Sequence, residues 1–147
     1  MASDAAIAAL KSSLRGALIQ PTDANYHEAR KIYNAMHDKR PRLIAEVADV
    51  ADVIACVNFA RNEKMIVAIQ GGGHNAGGLG TVDGGLVIKL SRMKGIRVDP
   101  GSRTVRVDGG CTWGDVDHAT HAFGLAVPTG IISTTGCLLY TSDAADD

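Results

Sequence analysis

Five of the eight residues from Gly71 to Gly78 are glycine, and this run follows directly on an apolar stretch, Met65 to Ile69, and Gln70. The segment reads Gly71-Gly72-Gly73-His74-Asn75-Ala76-Gly77-Gly78, with Gly80 close behind. Glycine costs a helix about 1 kcal/mol per residue relative to alanine, so the chain must leave a buried strand and enter a loop here. Consecutive glycines carry no Cβ to hold a ligand away from the backbone. Successive amide N–H groups in such a turn can converge on one concavity and hold an anion. The length of the loop suits a diphosphate better than a single carboxylate. A surface turn is the plain alternative, but this glycine density after a strand favours ligand contact. Gly71-x-Gly73-x-x-Ala76 also fits the dinucleotide fingerprint of doubly wound folds, which requires a helix to start at the loop. Gly77, Gly78 and Gly80 oppose that helix, so the fingerprint reading is rejected.

The flanking sequence supplies the frame. Ile7, Leu10, Leu14, Ala17 and Leu18 recur at helical spacing and predict an amphipathic helix ending near Pro21. Asn25 to Asp38 is polar and reads as helix or ordered loop. Leu43 to Val47 is a short apolar strand, and Asp49 can cap a following helix with Asp52 in its first turn. Val50, Val53, Ile54 and Val57 are the expected buried stripe of that helix. With the strand Met65 to Ile69 this makes a βαβ unit, whose strands should run parallel. Leu86 to Leu90 is a further strand. Ile96-Arg97-Val98 and Thr104-Val105-Arg106-Val107 alternate in polarity across Asp99-Pro100-Gly101-Ser102, a hairpin in whose turn Pro100 fixes φ and Gly101 permits a positive one. Thr112 and Asp115 resemble a capping pair for a helix from Trp113 to about Ala122, with Gly124 as its C-terminal cap. Leu125 to Val127 is strand-like, and Trp113 and Phe123 are assigned to the core.

Several chemistries lack support. A net charge of −1, from 15 basic and 16 acidic residues, gives no electrostatic footprint for nucleic acid or an anionic membrane. Aromatic residues make up only 4% of the chain, too few for a single-strand stacking platform. No run of about 20 apolar residues exists, so no membrane span is expected. The start, Met1-Ala2-Ser3-Asp4, carries no basic segment before an apolar run, and no secretory signal is read there. Cys56, Cys111 and Cys137 are widely spaced, which fits a reducing compartment, and a cytoplasmic address is expected. His118 and His121 can meet on one helix face, but without a third ligand no metal site is expected. Cys111 precedes a helix where a thiolate could be stabilised, though a small buried apolar role suits it better. His74 stands inside the glycine loop. A lone histidine is more often structural, yet a neutral imidazole is nucleophilic and could attack an activated cofactor carbon.

Four blocks in order, VAIQGGGHNAGG, DGGLVIKLSRMKGIRVDP, VRVDGGCTWGDVDHAT and FGLAVPTGIISTTG, resemble the flavin-binding half of the vanillyl-alcohol-oxidase/PCMH family of FAD-linked oxidoreductases, nearest its berberine-bridge-like and bacterial FAD-linked oxidase branch. The resemblance covers roughly Arg40 to Gly136. It implies an α+β, PCMH-type FAD-binding domain: a βαβ subdomain followed by a mainly antiparallel β subdomain, truncated. It places Gln70, Gly71, Gly72, Gly73 and Asn75 around the FAD diphosphate, and matches His74 to the histidine that many members join covalently to the flavin 8α-methyl carbon. Pro128, Thr129, Gly130, Ser133, Thr134, Thr135 and Gly136 match a second cofactor-lining segment, and Ser91 a strand-end residue near the cofactor. Many relatives carry arginine where this chain has Gln70, so charge assistance from that position is lost. Ile132 stands where doubly linked relatives carry cysteine, so a second linkage is not expected.

The expected organisation is an N-terminal helical segment (1–39), a partial FAD-binding domain (40–136) and a foreign tail (137–147). The tail, CLLYTSDAADD, resembles the translation of a transposase-type sequencing-library adapter. On that reading the true protein continues beyond Gly136 and this chain is an inactive fragment. The leading function is the FAD-binding portion of an oxidase or dehydrogenase acting on a small organic substrate, with an electron acceptor such as oxygen. The competing readings are a non-catalytic nucleotide-binding module using the same loop, and a metal-binding module of His74, His118, His121 and Cys111.

Overall fold

Asp49 starts the helix that organises the first half of the chain. Its carboxylate accepts the Asp52 amide at 3.1 Å, the bond that defines an N-cap. The computed structural model describes residues 2–138. In chain order the elements are α1 (Asp4–Ser13), β1 (Ala17–Ile19), α2 (Tyr26–Ala29), β2 (Leu43–Glu46), α3 (Val50–Asn62), β3 (Val67–Gln70), β4 (Leu86–Lys89), β5 (Ile96–Asp99), β6 (Thr104–Val107) and α4 (Trp113–His121).

The first four strands form one sheet in the order β1-β2-β4-β3. β2 and β3 both run parallel to β4, and β1 lies antiparallel on β2. The βαβ unit is present, but β4 inserts between its two strands, so β2 and β3 are parallel without touching. Leu43, Ile44, Leu86, Val87 and Ile88 are fully buried, as central strands covered on both faces must be. Leu43, Ala45, Leu86 and Ile88 pack toward Ile7 and Leu10 of α1 and Cys56 and Ala60 of α3. Ile44 and Val87 face the other way, onto Ile19, Tyr26 and Ala29. β5 and β6 form a separate antiparallel pair, over which Cys111, Trp113 and Val116 pack with Ile96, Val105 and Val107. The architecture is mixed α/β, a largely parallel sheet followed by a separate antiparallel pair.

Several local expectations are corrected. The first helix stops at Ser13, not near Pro21. Leu14 turns extended, the Asp52 carboxylate captures the amides of Arg15 and Gly16 at 2.9 Å each, and Ala17 to Ile19 pair with β2 instead. Gly16 is needed there because a Cβ would collide with the Glu46 carbonyl oxygen. Of the stripe expected on α3, Val53 packs against the core, but Val50 is 61% exposed, Ile54 56% and Val57 39%, while Asp52, Cys56 and Ala60 face inward. Small Cys56 and Ala60 let the helix lie close to the sheet, and Asp52 must face in to hold the entry to β1. In the hairpin the positive φ falls on Arg103 (57°), not Gly101, because Asp99 accepts the amides of Gly101 and Ser102 and sets an Asx-type turn. Leu125 to Val127 form no strand, and Phe123 is 52% exposed, whereas Trp113 is buried as expected. The capping box of α4 is present in both directions, and Gly124 takes a φ of 65° behind it.

Candidate functional site

β3 delivers Gln70 to the mouth of the glycine loop. The loop is held from two sides by backbone contacts that only glycine permits. A Cβ on Gly71 would stand 2.9 Å from the Gly109 carbonyl oxygen, and one on Gly72 only 2.6 Å from the Gly136 nitrogen. The missing side chains therefore let three loops close on one another. This is a different reason for the glycines from the ligand approach expected of them. Gly73, at a φ of 72°, then turns the chain.

The opposite side is held by residues 31–39, which form a strap across the loop. The Tyr33 amide donates to the Gly73 carbonyl at 3.1 Å. Asn34 Nδ2 donates to the Ala76 carbonyl at 3.1 Å, and His37 Nε2 lies 2.8 Å from the same oxygen. Lys39 Nζ donates to the carbonyls of Gly78 (3.0 Å) and Thr81 (3.2 Å). Gln70 Nε2 reaches back to the Lys31 carbonyl at 3.4 Å. The carbonyls of Gly73, Ala76 and Gly78 are thus taken up by the strap. By contrast, the amides of Gly72 to Gly77 donate to none of the described residues. Peptide dipoles fixed in this way leave a run of N–H groups for an anion.

A cavity of about 380 Å³ opens here, lined by Ile69, Gln70, the stretch Gly71 to Asn75, Leu79, Gly80, Gly136 and Leu138. That volume lies within the usual range for small-molecule sites. No carboxylate is among these lining residues, and His74 is their one titratable side chain. An uncharged, amide-rich cradle beside an imidazole fits the anionic linker and ring system of FAD. Asn75 shapes the loop as well, its carbonyl accepting the Gly78 amide and its side chain the Leu79 amide, each at 3.1 Å.

The other residues singled out in the sequence divide by position. Gly136 reaches the cavity, and the Thr134 carbonyl lies over Gly72. Thr135 is buried, its carbonyl accepting the Trp113 amide, and the Ser133 carbonyl accepts the Gly114 amide. Pro128, Thr129, Gly130 and Ser133 do not line the cavity, nor does Ser91, which occupies the turn after β4. His118 and His121 are exposed on α4, and no group of three metal-ligating side chains occurs among the described residues. Burial pushes the Cys111 thiol up, and the Cys56 and Cys137 thiols up to about 11, so none is poised as a thiolate. Most of the tail, 139–147, lies outside the described residues; Cys137 is buried beside Cys111 and Trp113. Sequence reasoning missed the strap altogether. Asn34, His37 and Lys39 sit 39 to 42 residues from their partners, and no periodicity marks them.

Residues 41–143 match the family described as "FAD binding domain". The chain is 34% identical over 124 residues to (R)-6-hydroxynicotine oxidase of Paenarthrobacter nicotinovorans, covering 84% of this chain and 27% of that protein. It is 38% identical over 125 residues to an FAD-linked oxidoreductase of Dictyostelium discoideum, again covering 84% of this chain and 27% of the relative. The crystal structure of 6-hydroxy-D-nicotine oxidase from Arthrobacter nicotinovorans superposes with a TM-score of 0.81 at 34% identity, over 84% of this chain and 27% of that one. Wild-type BBE-like 1 of Physcomitrella patens superposes at 0.82 with 25% identity, over 89% of this chain and 29% of that one. The chain therefore spans a little over a quarter of the length of these relatives. With its sequence and its fold matched in this way, the chain belongs to the FAD-binding domains of the vanillyl-alcohol-oxidase/PCMH-type oxidoreductases, in their berberine-bridge-like branch.

Proposed function

We propose that this chain is the cofactor-holding portion of an FAD-linked oxidase or dehydrogenase, and that His74 carries the flavin covalently. The observation that supports it most is the split loop beside His74, with the carbonyls of Gly73, Ala76 and Gly78 bound to the strap and the amides of Gly72 to Gly77 donating to no described residue. Bound FAD supplies the two-electron centre that accepts hydride from a small organic substrate and passes the electrons to an acceptor such as dioxygen. The loop from Gly71 to Asn75 holds the diphosphate through backbone N–H groups. Gln70 braces the loop from beneath, without the charge an arginine would bring. Gly136, with Thr134 and Thr135 beside it, closes the cavity, while Ser91, Pro128, Thr129, Gly130 and Ser133 belong to the wider surface that surrounds the cofactor.

His74 would join the 8α carbon through one ring nitrogen. The new N–C bond would replace the imidazole N–H and one methyl C–H. The two protons and two electrons released would pass to an acceptor such as dioxygen, giving hydrogen peroxide. The expressed protein should be yellow and keep its flavin through acid precipitation. His74→Ala should abolish acid-stable flavin fluorescence on a denaturing gel. Flavin that survives acid in that variant assigns the linkage elsewhere.

A further inference from the structure

Tyr33 lies face to face on the His74 ring, with centroids 4.1 Å apart and planes inclined by 17°. The tyrosine is 68% exposed, so it fills no core, and its placement there answers to the histidine rather than to burial. The same residue's amide holds the Gly73 carbonyl, immediately before His74, and Asn34 and His37 pin the Ala76 carbonyl two residues after it. His74 is thereby bracketed along the chain and stacked on one face. Neither of its ring nitrogens hydrogen-bonds to any described residue. Most histidines with a chemical task are oriented through a hydrogen bond to one nitrogen. A stack orients the ring through its face instead, and leaves both in-plane lone-pair positions clear.

We propose that Tyr33 is the positioning residue of His74: it fixes the plane of the imidazole and so presents a ring nitrogen to the flavin methyl carbon without occupying either nitrogen. This rests on the reading that His74 is the attachment residue. The stack requires an aromatic ring and no hydroxyl, so phenylalanine should serve and an aliphatic residue of similar bulk should not. The diphosphate is held by loop amides, and Tyr33 braces that loop through its own N–H, which every side-chain variant keeps.

The test uses FAD-free protein mixed with FAD. Non-covalent binding is followed by quenching of flavin fluorescence, and attachment by the growth of acid-stable flavin fluorescence with time. Tyr33→Leu should bind FAD as before and attach it about tenfold more slowly, the upper end of what an aromatic pair contributes. Tyr33→Phe should restore the rate. In carbon-13-labelled imidazole spectra, the His74 ring protons should be shifted upfield by the tyrosine face in wild type, and released in Tyr33→Leu. An unchanged attachment rate in Tyr33→Leu, while His74→Ala attaches nothing, overturns the positioning role alone. So does a loss of FAD binding parallel to the loss of attachment, which marks a structural role. Acid-stable flavin surviving in His74→Ala overturns the linkage reading, and the positioning role with it.

Discussion

The carboxylate of Asp52 accepts the amides of Arg15, Gly16 and Ala48, each at 2.9 Å, beneath the point where the chain enters β1. Burial alone would raise its pKa. The three backbone donors outweigh that, and the Arg15 charge adds to them, so the carboxyl lies below the usual carboxylate range. A depressed folded-state pKa means the carboxylate contributes its full stability above the unfolded value of about 4, and loses it as pH falls through the lower folded value. Asp52→Asn keeps one acceptor but turns an NH2 toward backbone donors. It should cost about 2–4 kcal/mol in a urea melt at neutral pH. The gap from wild type should start to narrow as pH falls below about 4, where the unfolded carboxyl takes up its proton, and stop narrowing once the native carboxyl, held lower, is protonated too. The sequence shows Asp52 only as an acid in the first turn of a helix, because its partners Arg15 and Gly16 lie 37 and 36 residues upstream. His74 was legible for the opposite reason: its glycine neighbours stand beside it in the chain. Tyr33 was not, since a stack across 41 positions leaves no local pattern.

Among the elements, α4 shows what local chemistry can specify. Thr112 and Asp115 are three residues apart, a spacing that names the capping box outright, and both hydrogen bonds of the box are formed. What the spacing could not name is Lys94, whose Nζ donates to Asp115 Oδ2 at 2.6 Å. That bond and the Thr112 amide hold the Asp115 carboxyl down to about 2. The contribution of Asp115 is therefore complete above about pH 4 and disappears as pH falls toward 2. Lys94→Met should move the Asp115 titration, followed by carboxyl carbon NMR, back toward the ordinary range. Asp115→Ala should destabilise the helix by about 0.5–2 kcal/mol in thermal melts at neutral pH. An Asp115 titration unchanged in Lys94→Met would leave the cap alone as the cause. The same contrast between near and far runs through the other elements. The β5–β6 hairpin follows from alternation over a short turn, whereas the β1-β2-β4-β3 order depends on β4 entering between strands already made. For α3, periodicity gave a helix but not its inward face, since a buried aspartate counts as polar in any hydrophobic pattern.

At the scale of the whole molecule, the βαβ layer and the antiparallel layer meet where Gly72 and Gly136 cross backbone to backbone, and Gly136 also lies next to the Thr112 bridge that leads into α4. The two glycine-bearing segments were each visible in the sequence, but not that they need glycine against one another. The cavity lies on that seam, so closure of the layers and shape of the site are one property. A Cβ on Gly136 would run into the Gly72 nitrogen and stand 2.9 Å from the Gly72 Cα, closer than real Cβ contacts come, and the rigid partner is backbone that cannot rotate away. Gly136→Ala should therefore part the layers by a small displacement and weaken FAD binding at the same time. In thermal melts it should lower the midpoint without FAD and also shrink the upward shift that saturating FAD gives, because that shift scales with the logarithm of ligand concentration over Kd. Gly101→Ala is the matched control. Its φ is not positive and its new Cβ would meet only Asp99 Oδ1, at 3.4 Å, on a hairpin remote from the cavity. Both its midpoint and its FAD shift should stay at the wild-type values. A Gly136→Ala protein that loses stability but keeps the full FAD shift would separate the seam from the site, and the cradle would then be set by the strap alone.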